Sequence, residues 1–123
     1  MLPLKSLHEA GARLAFGTDW PVTSPDPMRT LKAAVTGQTI TGDHLHGHET
    51  VDHETAMAAM TTHAAEATWL PTAAGLVPGA PADVVVWTHD PFGWTGDCPA
   101  PRPWAVFVGG EQVVDAASPT AVH

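Results

Sequence analysis

Asp19 is the residue whose type and position point most directly to chemistry. It ends a short apolar run, Ala12-Arg13-Leu14-Ala15-Phe16-Gly17-Thr18, and precedes Trp20-Pro21. A carboxylate at the carboxyl end of a buried strand can bind a divalent metal, accept a proton from water, or do both. The local pattern by itself favours a plainer role, in which Asp19 shapes the turn or accepts hydrogen bonds from backbone amides.

A second candidate is the histidine-rich segment His44-Leu45-His46-Gly47-His48. Histidines at i and i+2 on a strand point the same way, which suits zinc or iron, and Asp43, Glu49 and His53 could add ligands. However, the segment is polar and contains glycine, whereas a functional site needs several ligands on a rigid frame. We therefore favour a solvated loop that binds metal only adventitiously.

The other polar candidates favour structural roles. His63 lies in an Ala-rich helical segment, and Asp83, His89 and Asp90 flank a Val-rich strand, where such residues are typical of turns. Cys98 is the single cysteine, so it cannot form an internal disulfide, and no partner for a catalytic thiol stands out in the sequence.

The elements around Asp19 follow from apolar periodicity. Residues 2–10 predict a helix closed by the following glycine, and residues 12–19 predict a buried strand. Leu14 and Phe16 share the strand face expected to pack under helices, while Asp19 shares the opposite face with small residues. A helix, a glycine turn and a buried strand are typical of an α/β protein.

Helix starts and stops recur further along. Asp26-Pro27 combines an N-cap with proline at N1, and Gly37 is the expected stop. Residues 37–50 are polar and predict a loop. Asp52 is expected to cap another helix, which Thr61-Thr62 interrupts.

The second half of the chain is rich in proline and glycine. Residues 83–87 predict a strand because they are β-branched, and Gly109-Gly110 predicts a two-residue hairpin between two further strands. Residues 117–123 are expected to fray. Three strands make a weak independent sheet, so this half is expected to depend on a larger structure or a partner.

Composition restricts the function classes. The chain has 123 residues, 44% of them hydrophobic, and a formal net charge of -8. This suits one small domain and excludes the basic surface that nucleic acid or anionic lipid would require. There is no apolar run long enough to cross a membrane and no signal-peptide pattern, and one cysteine suits a reducing compartment. We expect a cytoplasmic protein.

Several segments, in order, resemble signatures of the amidohydrolase superfamily. Gly17-Thr18-Asp19-Trp20-Pro21 resembles its eighth-strand signature, in the form found in the branch of N-substituted formamide deformylases. The further similar segments are the following helix at 31–36, the Glu-x-Ala-Leu and Tyr-Thr-x-x-Ala-Ala regions at 54–65, the Pro-Gly signature at 75–86, and the closing hairpin at 106–114.

This resemblance implies an α/β fold: the last strand and helices of a (β/α)8 TIM-type barrel, followed by the C-terminal strands of a small composite β-sandwich. Residues 1–70 would form the barrel part, with strand eight near 13–19, and residues 71–116 the sandwich part. It implies hydrolysis of carbon–nitrogen bonds in small amide-like, non-peptide substrates. Asp19 would be a metal ligand and the proton acceptor, with a divalent metal, most simply zinc, polarising the carbonyl.

The chain also departs from the family pattern. The family's other ligands, including a first-strand His-x-His, belong upstream of strand eight, where this chain has 18 residues before Asp19. His44-Leu45-His46 has the same His-x-His pattern but lies after strand eight, so it is not assigned the role of the first-strand metal ligands. Because one ligand cannot hold a catalytic metal, we expect the isolated chain to be inactive.

Two alternatives stay open at this point. The chain could be a non-catalytic structural or binding module that completes another chain's barrel, or a small metal-binding protein that uses His44, His46 and His48. Uncovered strand edges and apolar faces predict self-association or a complementing N-terminal chain.

Overall fold

A computed structural model of the protein describes residues 2–39, 41–44, 47–69, 75–96 and 98–116. Within these ranges, helices come first along the chain and strands follow. The elements are α1 (Leu4–Glu9), α2 (Pro27–Thr36), α3 (His53–Met60), α4 (Thr62–Ala67), β1 (Val84–Trp87), β2 (Pro103–Val108) and β3 (Glu111–Asp115).

The predicted glycine stop of the first helix is confirmed. Gly11 adopts a left-handed backbone conformation, with φ of 86°. The Gly11 amide donates to the His8 carbonyl at 2.9 Å, and the Ala12 amide donates to the Leu7 carbonyl at 3.0 Å. This pair of bonds is a Schellman motif, which satisfies carbonyls that a helix end leaves free.

The predicted caps of α2 and α3 are also confirmed. Asp26 accepts a hydrogen bond from the Met28 amide at 3.0 Å, and Gly37 ends α2 with a φ of 68°. Asp52 accepts from the Thr55 amide at 2.7 Å. Thr61 lies between α3 and α4, as the sequence predicted.

The hydrophobic core is formed by α2, α3 and three non-helical segments that pack on them. Its buried members are Leu14, Met28, Leu31, Ala34, Val51, Ala56, Ala59 and Trp94. Leu31 is fully enclosed, with no exposed surface. Trp94 comes from the proline- and glycine-rich loop before β2, so this loop contributes to the core of the helical part.

The strand predicted at residues 12–19 does not form as a strand among the described residues. The segment carries no ladder to a neighbouring strand; instead the Phe16 amide donates to the Ala59 carbonyl of α3 at 2.9 Å. A strand requires a partner backbone, and a helix end supplies only this single bond. The predicted alternation nevertheless holds, because Leu14 is buried and Phe16 packs on the core, while Asp19 is exposed.

The three strands form an antiparallel sheet in the order β1-β2-β3. Val106 pairs with Val85 on one side and with Val114 on the other. Gly109-Gly110 forms the turn between β2 and β3, both with positive φ, which confirms the predicted hairpin. The predicted tail at 117–123 lies outside the described residues, and the predicted division into 1–70 and 71–116 stays a prediction. None of the described helices is long and apolar enough to span a membrane.

Candidate active site

Asp19 lies at a sharp change in chain direction. Its φ of 54° is in the left-handed region, which Asp and Asn tolerate better than most residues. The Asp19 carbonyl accepts hydrogen bonds from the Val22 amide at 2.8 Å and the Thr23 amide at 3.4 Å. The backbone of Asp19 therefore serves the turn, while its side chain is exposed and leaves the carboxylate available for chemistry.

Helices α3 and α4 hold the segment that leads to Asp19. His63 in α4 donates from Nδ1 to the Leu14 carbonyl at 3.2 Å, since a carbonyl can only accept. Arg13 pairs with Glu66 at 2.8 Å across the same contact. Together with the bond from Phe16, these interactions connect the segment to α3 and α4 at three positions just before Asp19.

A groove of about 1020 Å³ lies beside this segment. Its lining includes Ala15 and Gly17 of the segment and Arg29 and Ala33 of α2. Val22 and Thr23, whose amides donate to the Asp19 carbonyl, also line the groove, so the groove reaches the Asp19 turn.

The histidine-rich segment does not form a metal centre among the described residues. His44 accepts a hydrogen bond through Nε2 from the Gln38 side-chain amide at 3.1 Å. His46 lies outside the described residues, and His48 is exposed. In the described part of the chain, no three His, Cys, Asp or Glu side chains converge to hold a metal ion.

The residues assigned to turns have structural partners. Asp83 accepts from the Gly109 amide at 2.7 Å and so ties β1 to the hairpin turn. His89 donates from Nε2 to the Pro99 carbonyl at 3.1 Å, and Asp90 accepts from the Phe92 amide at 2.8 Å. Cys98 is exposed, and its carbonyl accepts from the indole of Trp94.

Glu49 has a defined role that the sequence did not reveal. Its two carboxylate oxygens accept from the Ser6 amide at 3.0 Å and the Ser6 hydroxyl at 2.7 Å. The backbone and then the side-chain hydrogen bond from Ser6 lower the pKa of Glu49 below its usual value. Pro3 precedes α1 without a side-chain cap, so Glu49 supplies this cap from a distant loop. No spacing in the sequence indicates such a long-range pair.

Comparison with known families identifies the family of this chain. The sequence model of the amidohydrolase family matches residues 1–114 of this chain. This chain belongs to the amidohydrolase family. The match extends from before α1 to β3, so the helical part, the Asp19 turn and the sheet all fall within this amidohydrolase segment.

One curated relative is much longer than this chain. The protein LONG AFTER FAR-RED 3 of Arabidopsis thaliana is 32% identical over 111 residues, which cover 89% of this chain and 19% of that protein. The chain therefore spans about a fifth of the length of the relative that it matches. No solved structure matches it significantly.

Proposed function

We propose that this amidohydrolase segment is the C-terminal portion of a metal-dependent hydrolase that cleaves carbon–nitrogen bonds in small, amide-like, non-peptide substrates. In this proposal residues 12–19 become strand eight of a (β/α)8 barrel, and β1–β3 belong to a composite β-sandwich. The N-substituted formamide deformylases are the branch that the Asp-Trp-Pro sequence favours, and the cytoplasm is the proposed compartment. The family match carries the hydrolase assignment.

Asp19 is the proposed metal ligand and proton acceptor of the whole enzyme. Its carboxylate is exposed, directly follows a segment with strand-like alternation, and is oriented by a turn that engages its carbonyl rather than its side chain. In (β/α)8 barrels, catalytic side chains are found at the carboxyl ends of the strands, which is the position proposed for Asp19.

The described residues do not fit a complete metal centre. Catalytic zinc sites use three protein ligands, whereas the described part of this chain contains no cluster of three candidate ligands. Asp19 fits the role of one ligand. We therefore propose that the other ligands lie on further polypeptide and that the isolated chain is inactive.

Exposed apolar surface supports the presence of such further polypeptide. The three-stranded sheet leaves large apolar side chains exposed: Trp104 and Val108 of β2 are 50% and 55% exposed, and Val85 of β1 is 43% exposed. In globular proteins apolar sheet surface of this kind is covered by another layer. The groove beside Ala15 and Gly17 leaves the proposed strand similarly open.

A chimera tests the proposal. Residues 2–116 would replace the corresponding region of an active amidohydrolase from the same family, and hydrolysis of N-formyl and acyl amides would be measured with and without added Zn²⁺. We expect metal-dependent turnover by the chimera and none by the 123-residue chain. Metal-dependent turnover by the purified chain itself would contradict the proposal.

Asp19→Asn in the chimera separates a catalytic role from a structural one. Asparagine has nearly the same shape and also tolerates the left-handed backbone, so the turn is preserved. We expect turnover to fall by about 10²- to 10⁴-fold, the usual contribution of a proton-transferring group. Asp26→Asn is the matched control, because asparagine caps α2 as well as aspartate does. If Asp19→Asn remained as active as the control, the chain would be a structural module that only completes the barrel.

A further inference from the structure

The contact between α4 and the Asp19 segment connects two regions that are far apart in sequence. His63 Nδ1 lies 3.2 Å from the Leu14 carbonyl oxygen, and the two residues are separated by 49 positions. His63 is half-buried, and Leu14 is 8% exposed. Water therefore has limited access to this carbonyl, and losing the donor would leave it poorly satisfied.

The direction of this hydrogen bond specifies which ring nitrogen of His63 carries a proton. The Leu14 carbonyl has lone pairs and no hydrogen, so Nδ1 of His63 must carry the proton. The main-chain bond from Phe16 to Ala59 and the Arg13–Glu66 ion pair flank it. Of these three interactions, the ion pair is well exposed and contributes little to holding the segment.

We propose that His63 is a positioning residue for Asp19, acting through the Leu14 carbonyl to hold the segment 14–19 against α3 and α4. The segment forms no strand ladder among the described residues, so side-chain and end-of-helix bonds replace that ladder. Fixing the carbonyl of Leu14 restricts the five residues that lead to the Asp19 turn. This positioning is a property of the chain on its own and does not rest on the proposed function; in the proposed barrel, a neighbouring strand would take these backbone groups.

Amide hydrogen exchange of the full 123-residue chain tests the proposal. The variants are His63→Ala, which removes the donor, and His63→Asn, which places an amide donor near the position of Nδ1. Alanine favours helices, and asparagine has a helix propensity similar to that of histidine, so α4 is preserved in both. Exchange would be followed at Phe16 in the segment and at Leu31 in the core.

In His63→Ala we expect exchange at Phe16 to become about fivefold faster, the effect of one lost hydrogen bond, with Leu31 unchanged. His63→Asn should restore slow exchange at Phe16. Equal acceleration at Phe16 and Leu31 in His63→Ala, or no acceleration at Phe16, would overturn the proposal. If His63→Ala did not fold, His63→Leu, which removes the donor but keeps much of the side-chain volume and a good helix propensity, would replace it with the same expected and overturning results. These results do not depend on turnover, so they are distinguishable from a failure of the Asp19 proposal.

Discussion

Two hydrogen bonds join Glu49 to Ser6, which is 43 residues away in the sequence, and they cap the N-terminal end of α1. One carboxylate oxygen lies 3.0 Å from the Ser6 amide nitrogen and the other 2.7 Å from its hydroxyl. An ionised carboxylate is a better acceptor for both donors than a neutral amide or carboxylic acid, and it also complements the helix dipole. This pair connects the loop after α2 to the first helix.

The Glu49–Ser6 pair predicts a pH-dependent contribution to stability. Because hydrogen bonds from Ser6 lower the pKa of folded Glu49, the contribution is present above the ordinary glutamate pKa and is lost as the pH falls through the lowered value. Glu49→Gln should therefore lower the thermal midpoint at pH 7, and the difference from wild type should disappear at a pH well below the ordinary glutamate pKa. Scanning calorimetry at both pH values measures it.

Glu111→Gln is the control for this substitution, since Glu111 is an exposed glutamate at the start of β3. It should leave the midpoint unchanged at both pH values. A Glu49→Gln effect of the same size at pH 7 and at acid pH would show that the carboxylate charge is not the stabilising feature.

The N-cap of α3 predicts a contrast between two substitutions at Asp52. Asp52→Ala removes the acceptor for the Thr55 amide and should reduce the free energy of unfolding by about 1 kcal/mol. Asp52→Asn keeps an acceptor oxygen and should cost far less. Urea unfolding of the three proteins at pH 7 distinguishes them, and equal losses in both variants would argue against capping as the cause.

Helix boundaries could be predicted from the sequence because their causes are local. Asp26, Gly37 and Asp52 act within one helical turn of the residues that they cap, so their types and spacing carry the information. The strand at 12–19 could not be settled in this way. A strand depends on a neighbouring backbone, and the apolar alternation of Leu14 and Phe16 does not supply one.

The candidate site shows the same division between local and long-range information. The role of Asp19 was predicted from a family signature, which the family match supports at the level of the amidohydrolase assignment. The contacts of His63 with Leu14 and of Glu49 with Ser6 were not predicted, because each joins residues more than 40 positions apart. Such contacts arise when helices and loops pack together, and the periodicity of a single sequence does not specify that packing.

The centre of the helical core predicts a large effect at Leu31. This side chain has no exposed surface, so Leu31→Ala would leave a cavity and should reduce the free energy of unfolding by about 2–5 kcal/mol. Leu76→Ala is the matched control, since Leu76 is 84% exposed and should change stability by less than about 0.5 kcal/mol. Denaturant titrations followed by far-UV circular dichroism compare the two. Similar losses would place Leu31 outside the core.

Trp94 connects the loop before β2 to the helical core, and this connection can be tested through its indole. The ring is buried, Nε1 donates to the Cys98 carbonyl at 2.9 Å, and the Trp94 carbonyl accepts from His53 Nε2 at 2.8 Å. Trp94→Phe keeps an aromatic ring but removes the donor and some volume, so it should reduce the free energy of unfolding by about 1–3 kcal/mol. It should also remove the most blue-shifted tryptophan emission. Trp69→Phe is the control, because Trp69 is 91% exposed and contributes red-shifted emission. If both substitutions destabilised the protein equally, the loop would not be anchored through Trp94.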